Sequence, residues 1–207
     1  METEDQQVEQ IKAFWHEHGK GIVAGLVIGF ALFYGWRYYD AQATAAQEAQ
    51  SEQFEQVVAQ LEAGDDAAFD TATSFINDDA SSTYAVLAAF DLAKAAADAG
   101  DLQAAIDALQ TARDNASGAL KYVADIRQAR LLMAQEQFDA ALNALTAAAE
   151  AEGFKVKAAE LKGDILWAQG DSVGARTAYQ EAMTAAEAEG SSAALAETKL
   201  NSIPAAS

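Results

Sequence analysis

The chain has 207 residues, enough for one domain with a real core beyond any anchor, and its 32 acidic against 13 basic side chains leave a net charge of −19. That balance repels nucleic acid and anionic lipid head groups. With no cysteine, disulfides and thiolate metal sites are excluded, and a single proline among abundant alanine points to an all-α class.

Residues 1–20 read as a short amphipathic helix, with Val8, Ile11, Trp15 and His18 recurring at three- and four-residue steps. Such a helix suits the cytoplasmic membrane interface, turning from there into the segment that follows. The only histidines, His16 and His18, do not share a helix face and make a poor metal pair.

Gly21 to Trp36, GIVAGLVIGFALFYGW, carries no charge and no proline and has no wet face. Its helical length is about 24 Å, and Lys20, Arg37, Trp36, Tyr38 and Tyr39 supply snorkelling and interfacial anchors. A transmembrane helix over 21–39 is expected. Lys12 and Lys20 precede it, whereas Arg37 is followed by no basic residue until Lys94, so the amino terminus is expected in the cytoplasm. Ala41-Gln42-Ala43 has the form of a cleavage site, but the long acidic leading segment favours an uncleaved anchor. Gly21, Gly25 and Gly29 form overlapping G-x-x-x-G motifs, a candidate face for packing against another membrane helix. Beyond Arg37 the net charge is −17, a balance suited to a solvated surface or to basic segments of other proteins.

Residues 40–63 are expected to form a helical stalk and the first solenoid helix, with Phe54, Val57, Val58 and Leu61 as its apolar stripe and Gly64 ending it. A repeat follows over 64–203. Gly64-Asp65, Gly100-Asp101, Glu136-Gln137 and Gly170-Asp171 mark turns spaced by 36, 36 and 34 residues. Alanine recurs in phase at Ala105, Ala141 and Ala175, and again at Ala112, Ala148 and Ala182, with Leu109, Leu145 and Tyr179 between them. This is the period of a tetratricopeptide-like array of helical hairpins, small residues standing where antiparallel helices meet, and Gly163 fits the first-helix packing position of the last repeat. The unit around Phe69 and Phe75 matches the pattern poorly, as a terminal repeat does. A closing helix with Ala196, Leu200 and Ile203 facing inward is expected, then a disordered tail over 204–207.

Nothing in the pattern is catalytic. Base–nucleophile arrangements lack their histidine and cysteine, and no lysine-bearing phosphate loop appears. Asp65-Asp66 and Asp78-Asp79 are read as helix caps, and Arg127 and Arg130 as bridges to acidic side chains of neighbouring helices. No cofactor is expected. A binding or assembly component is the class that remains.

Several stretches, in order along nearly the whole chain, resemble the YfgM-type ancillary subunit family of the bacterial SecYEG translocon. They are QVEQIKAFWHEHGK (Gln7–Lys20), GWRYY (Gly35–Tyr39), YAVLAAFDLAK (Tyr84–Lys94), LKYVADIRQARL (Leu120–Leu131), LKGDILWAQGDSVGARTAY (Leu161–Tyr179) and KLNSI (Lys199–Ile203). The resemblance implies a bacterial inner-membrane anchor, a periplasmic tetratricopeptide-like domain, and no catalytic residue. It also implies association with SecYEG, with a PpiD-type membrane-anchored periplasmic chaperone, and with translocated client proteins. A general periplasmic scaffold for envelope assembly or division is the alternative the residues leave open.

Overall fold

The computed structural model describes the backbone of residues 2–65 and 67–204, and their side chains apart from those of 2–8, 10, 11 and 13. Among the described residues the regular structure is helical throughout. The elements are α1 (Glu2–Ala63), α2 (Ala68–Asp78), α3 (Thr83–Asp98), α4 (Leu102–Asn115), α5 (Ala119–Ala134), α6 (Phe138–Ala144), α7 (Thr146–Glu150), α8 (Lys155–Gln169), α9 (Ser172–Glu189) and α10 (Ala194–Ser202). The chain divides into two compact units, Met1–Ser51 and Glu52–Ser207.

In the first unit, the expected turn near residue 20 is absent; α1 passes through it as helix. An isolated glycine costs a helix only about 1 kcal/mol relative to alanine, too little to break the ladder between good helix formers. Trp15 also lies over Gly19, 3.3 Å from where a Cβ would stand. The Val8 and Ile11 part of the predicted stripe lies outside the described side chains.

The second unit is a stack of helical hairpins. Hairpins α3–α4, α5–α6/α7 and α8–α9 each pair a first helix with an antiparallel second one, and α10 packs on α9. Three apolar clusters follow the chain. One joins Val57 and Leu61 of α1 to Phe75, Ile76, Phe90 and Leu109; a second joins Ile106, Ile126, Leu132, Leu145, Leu161 and Ile165; a third joins Ala175, Tyr179, Ala182, Ala196 and Ile203. The first two clusters cross from one hairpin to the next because no single hairpin can bury its own apolar stripe.

The turns explain the period. At Gly100 the chain enters the left-handed region with φ 84°, the Gly100 amide donates to Ala97 and the Asp101 amide to Ala96. Gly170, at φ 92°, repeats this with Trp167 and Leu166, and Gly64, at φ 71°, with Leu61 and Gln60. This paired pattern satisfies the last carbonyls of each helix and requires a left-handed residue, which is why glycine stands there. The third turn has the same two bonds, from Glu136 to Met133 and from Gln137 to Leu132, yet Glu136 adopts φ 60° with a side chain. The aspartate after the glycine caps the next helix: Asp101 accepts from the Ala104 amide at 2.9 Å and Asp171 from the Gly174 amide at 2.8 Å. Gln137 makes no such cap, and the helix it opens is interrupted at Leu145.

Of the two acidic pairs, Asp78-Asp79 behaves differently from expectation. Helix α2 starts from Ala67 without a side-chain cap, and the side chain of Asp66 lies outside the described residues. Helix α3 is capped by Ser82, which accepts from the Ala85 amide at 3.1 Å, while Asp79 accepts from the Ser81 hydroxyl. A capping side chain must sit immediately before the helix, and the serine is nearer than the aspartates.

Candidate functional site

Two kinds of surface stand out: an uncovered apolar helix and the faces of the repeat array. Helix α1 is long and apolar enough to cross a membrane. Along it Leu26, Val27, Ile28, Phe30, Leu32, Phe33 and Trp36 are all more than half exposed, as are Tyr38 and Tyr39 beyond Arg37. In water such a surface would be costly, at about 25 cal/mol per Å2 of apolar area; an apolar environment removes that cost. Gly21, Gly25 and Gly29 stand on this helix with nothing within 4 Å of the position a Cβ would take, leaving a shallow strip of bare backbone.

In the repeats, Ala105, Ala112, Ala141, Ala148, Ala175 and Ala182 are each fully buried. Gly163 faces the ring of Tyr179 across the α8–α9 hairpin. The Tyr179 hydroxyl donates to Asp164 Oδ1 at 2.7 Å, and Lys199 of α10 donates to both Asp164 oxygens at 2.6 and 2.7 Å. Burial, then the hydrogen bond and negative charge of Asp164, push the Tyr179 phenol above its ordinary range. One turn of chain away, Asp171 caps α9, and a Cβ at Gly174 would run into its carboxylate. Arg176 donates to the carbonyls of Leu200 at 3.3 Å and Ile203 at 3.0 Å, closing the carboxyl end of α10. The Gly-Asp-x-x-Gly-Ala-Arg run is thus one device: a left-handed turn, a cap, a space for the cap, a packing alanine and a clamp on the closing helix.

Sequence reasoning missed three polar contacts of the array. Arg113 of α4 donates to Asp125, a fully buried carboxylate on α5 whose second oxygen has no hydrogen bond among the described residues. Gln128 donates to Gln110 across the same pair of helices. Arg127 lies over the Phe90 ring, 5.0 Å from its centre, and neither it nor Arg130 bridges an acidic residue among those described. An arginine fork stacks on an aromatic face when the ring is nearer than a carboxylate. A buried Asp amid apolar helix positions was the available signal for the first contact; nothing in the spacing marks the others.

Among the clefts that open on the array, two have apolar walls. One, about 620 Å3, lies among Leu61, Phe69 and Asp91. The other, about 470 Å3, lies among Leu142, Ala149, Leu166 and Ala185, with Glu150, Lys155, Lys162 and Glu181 at its edge. Lys162 and Glu181 pair there at 2.8 Å. Among the described residues no cluster of three or more histidines and carboxylates is placed to hold a metal ion.

The family described as tetratricopeptide repeat-like domain matches residues 12–205. A protein of Escherichia coli named ancillary SecYEG translocon subunit is 32% identical over 180 residues, covering 86% of each chain. One of the same name from Haemophilus influenzae is 28% identical, covering 86% of this chain and 88% of its own. The crystal structure of MamA protein superposes with a TM-score of 0.56 at 19% identity, over 71% of this chain and 78% of that one, a likeness of fold alone.

Proposed function

The chain belongs to the family of ancillary SecYEG translocon subunits, built on the tetratricopeptide repeat-like domain, and from that premise we propose that it serves the SecYEG translocon as a non-enzymatic accessory protein. The reading is carried by the match to the Escherichia coli subunit, which runs through 86% of both chains. In this reading 1–20 lies in the cytoplasm, 21–39 spans the bacterial inner membrane, and the repeats of 64–203 stand in the periplasm at the end of the 40–63 helix. There the array binds a PpiD-type chaperone or assists newly translocated proteins. Gly21, Gly25 and Gly29 form the face on which a transmembrane helix of that assembly packs, since close backbone approach rewards a helix partner more than it rewards lipid.

Crosslinking in intact membranes followed by affinity recovery tests the assignment. SecY is expected among the recovered proteins. Its absence, with envelope-assembly proteins recovered instead, overturns the translocon in favour of a general scaffold. Alkaline phosphatase fused after Ser207 is expected to be active; an inactive fusion reverses the orientation. Gly25→Leu keeps the span apolar while filling the bare strip, so the variant is expected to insert but to lose SecY on solubilisation. Undiminished recovery removes the glycines from the interface.

A further inference from the structure

The cleft beside Leu61 joins an apolar floor to a rim that is almost wholly acidic. Val58 and Leu61 come from α1, Phe69 from α2, and Ala95 and Ala99 from the end of α3, enclosing about 620 Å3. That lies within the roughly 300–1,000 Å3 of clefts that hold ligands. Gly64 is part of the lining, and nothing lies within 4 Å of its Cβ position.

Four carboxylates rim this floor, Glu62, Asp65, Asp91 and Asp98, against one cation, Lys94. Lys94 is taken up by Asp98 on its own helix at 3.4 Å. Glu62, Asp65 and Asp91 have no ion-pair partner among the described residues. Asp91 is half-buried, and burial, with Glu62 next, raises its carboxyl above the ordinary range despite Lys94 and Arg127. An incoming cation would offset both the lost hydration and the like charge. A bare metal ion does not suit the floor, which gains only from apolar contact. The complement is a chain that carries positive charge beside apolar side chains.

We propose that this cleft binds a cationic amphipathic polypeptide segment of another protein, seating an apolar side chain over Val58, Leu61 and Phe69 and an ammonium or guanidinium beside Glu62 and Asp91. The inference rests on the cleft alone and holds whichever assembly the membrane helix joins. Like-charge crowding at the rim disfavours acidic segments, which gives the site a sign as well as a shape.

The test uses the full-length protein in non-ionic detergent and a dye-labelled synthetic peptide alternating leucine with arginine, read by fluorescence anisotropy against empty micelles. A counterpart with glutamate for arginine is the second probe. The arginine peptide is expected to bind and the glutamate peptide not. Glu62→Gln with Asp91→Asn is expected to weaken binding about tenfold. Glu152→Gln with Glu187→Gln removes as much charge elsewhere and is expected to change little. Ala99→Trp, which fills the cleft without altering charge, is expected to weaken binding at an unchanged Tm. The proposal is overturned if the parent does not bind, if the Glu62/Asp91 variant binds as the parent does, or if both double variants lose affinity alike, which would make the attraction one of net charge.

Discussion

Gly163 and Tyr179 are in direct contact: a Cβ on Gly163 would lie 2.6 Å from Cδ1 of the Tyr179 ring. No side chain fits that space without moving the ring, and the ring is tied through its hydroxyl to Asp164. Gly163→Ala is therefore expected to overpack the α8–α9 hairpin and cost about 1–3 kcal/mol despite the better helix propensity of alanine. Thermal unfolding of the full chain checks it. A stabilised variant would mean that the ring yields freely.

The same phenol reports on its surroundings. Its raised pKa means that the folded state holds a proton the unfolded chain releases. The associated stability is fully present below the ordinary tyrosine range, about 10, and is lost as pH rises through the folded value. In an ultraviolet titration of the folded protein, Tyr179→Phe is expected to leave the ordinary tyrosine transition unchanged in amplitude. Asp164→Asn removes the charge and is expected to bring an additional tyrosine down toward that range. A transition that shrinks in Tyr179→Phe would show an unshifted phenol.

The third turn offers a gain. Glu136 holds a left-handed conformation that costs a side-chain-bearing residue roughly 1–2 kcal/mol, in the position that glycine holds at the other three turns. Glu136→Gly is expected to stabilise the protein by about 1 kcal/mol, the relief exceeding the added freedom of the unfolded chain. Gln137→Asp, which supplies the cap found at Asp101 and Asp171, is expected to add about 0.5–1 kcal/mol. Denaturant midpoints of the two single variants and the double variant measure both. A lowered midpoint for Glu136→Gly would mean that the glutamate side chain has a compensating contact.

Removing the partner of Asp125 is expected to be costly. Arg113→Met leaves a fully buried carboxylate without its cation, a loss of about 2–3 kcal/mol given that the arginine is partly exposed. Arg113→Met with Asp125→Leu removes both charges and is expected to recover most of it. If the double variant is as unstable as the single one, packing around Asp125 decides the outcome and not its charge.

What the sequence made legible was the part governed by local backbone chemistry. A glycine forced left-handed and an aspartate positioned to cap leave a two-residue mark at each turn, so the phase of the repeats could be read from Gly100-Asp101 and Gly170-Asp171. Ala175 and Ala182, expected where helices meet closely, are fully buried. Contacts between distant positions left no such mark. Asp164 meets Lys199 at a separation of 35 residues, and nothing in either neighbourhood names the other. Arg127 was misread because spacing along one helix cannot tell that Phe90, on another, offers its ring. Asp78-Asp79 was misread for the opposite reason: a nearer serine, Ser82, won the cap.

The bonds that Arg176 and Lys199 make to and from α10 also set an order of events. Ala182, Tyr179 and Ala175 are sealed by Ala196 and Ile203, which lie close to the carboxyl end of the repeat domain. A repeat domain emerging from synthesis would carry its last hairpin wet on one side until those residues arrived. A chain stopping at Gly190 would expose that side permanently, with Asp164 deprived of its lysine. Helix α10 thus acts as the seal that keeps the last hairpin dry.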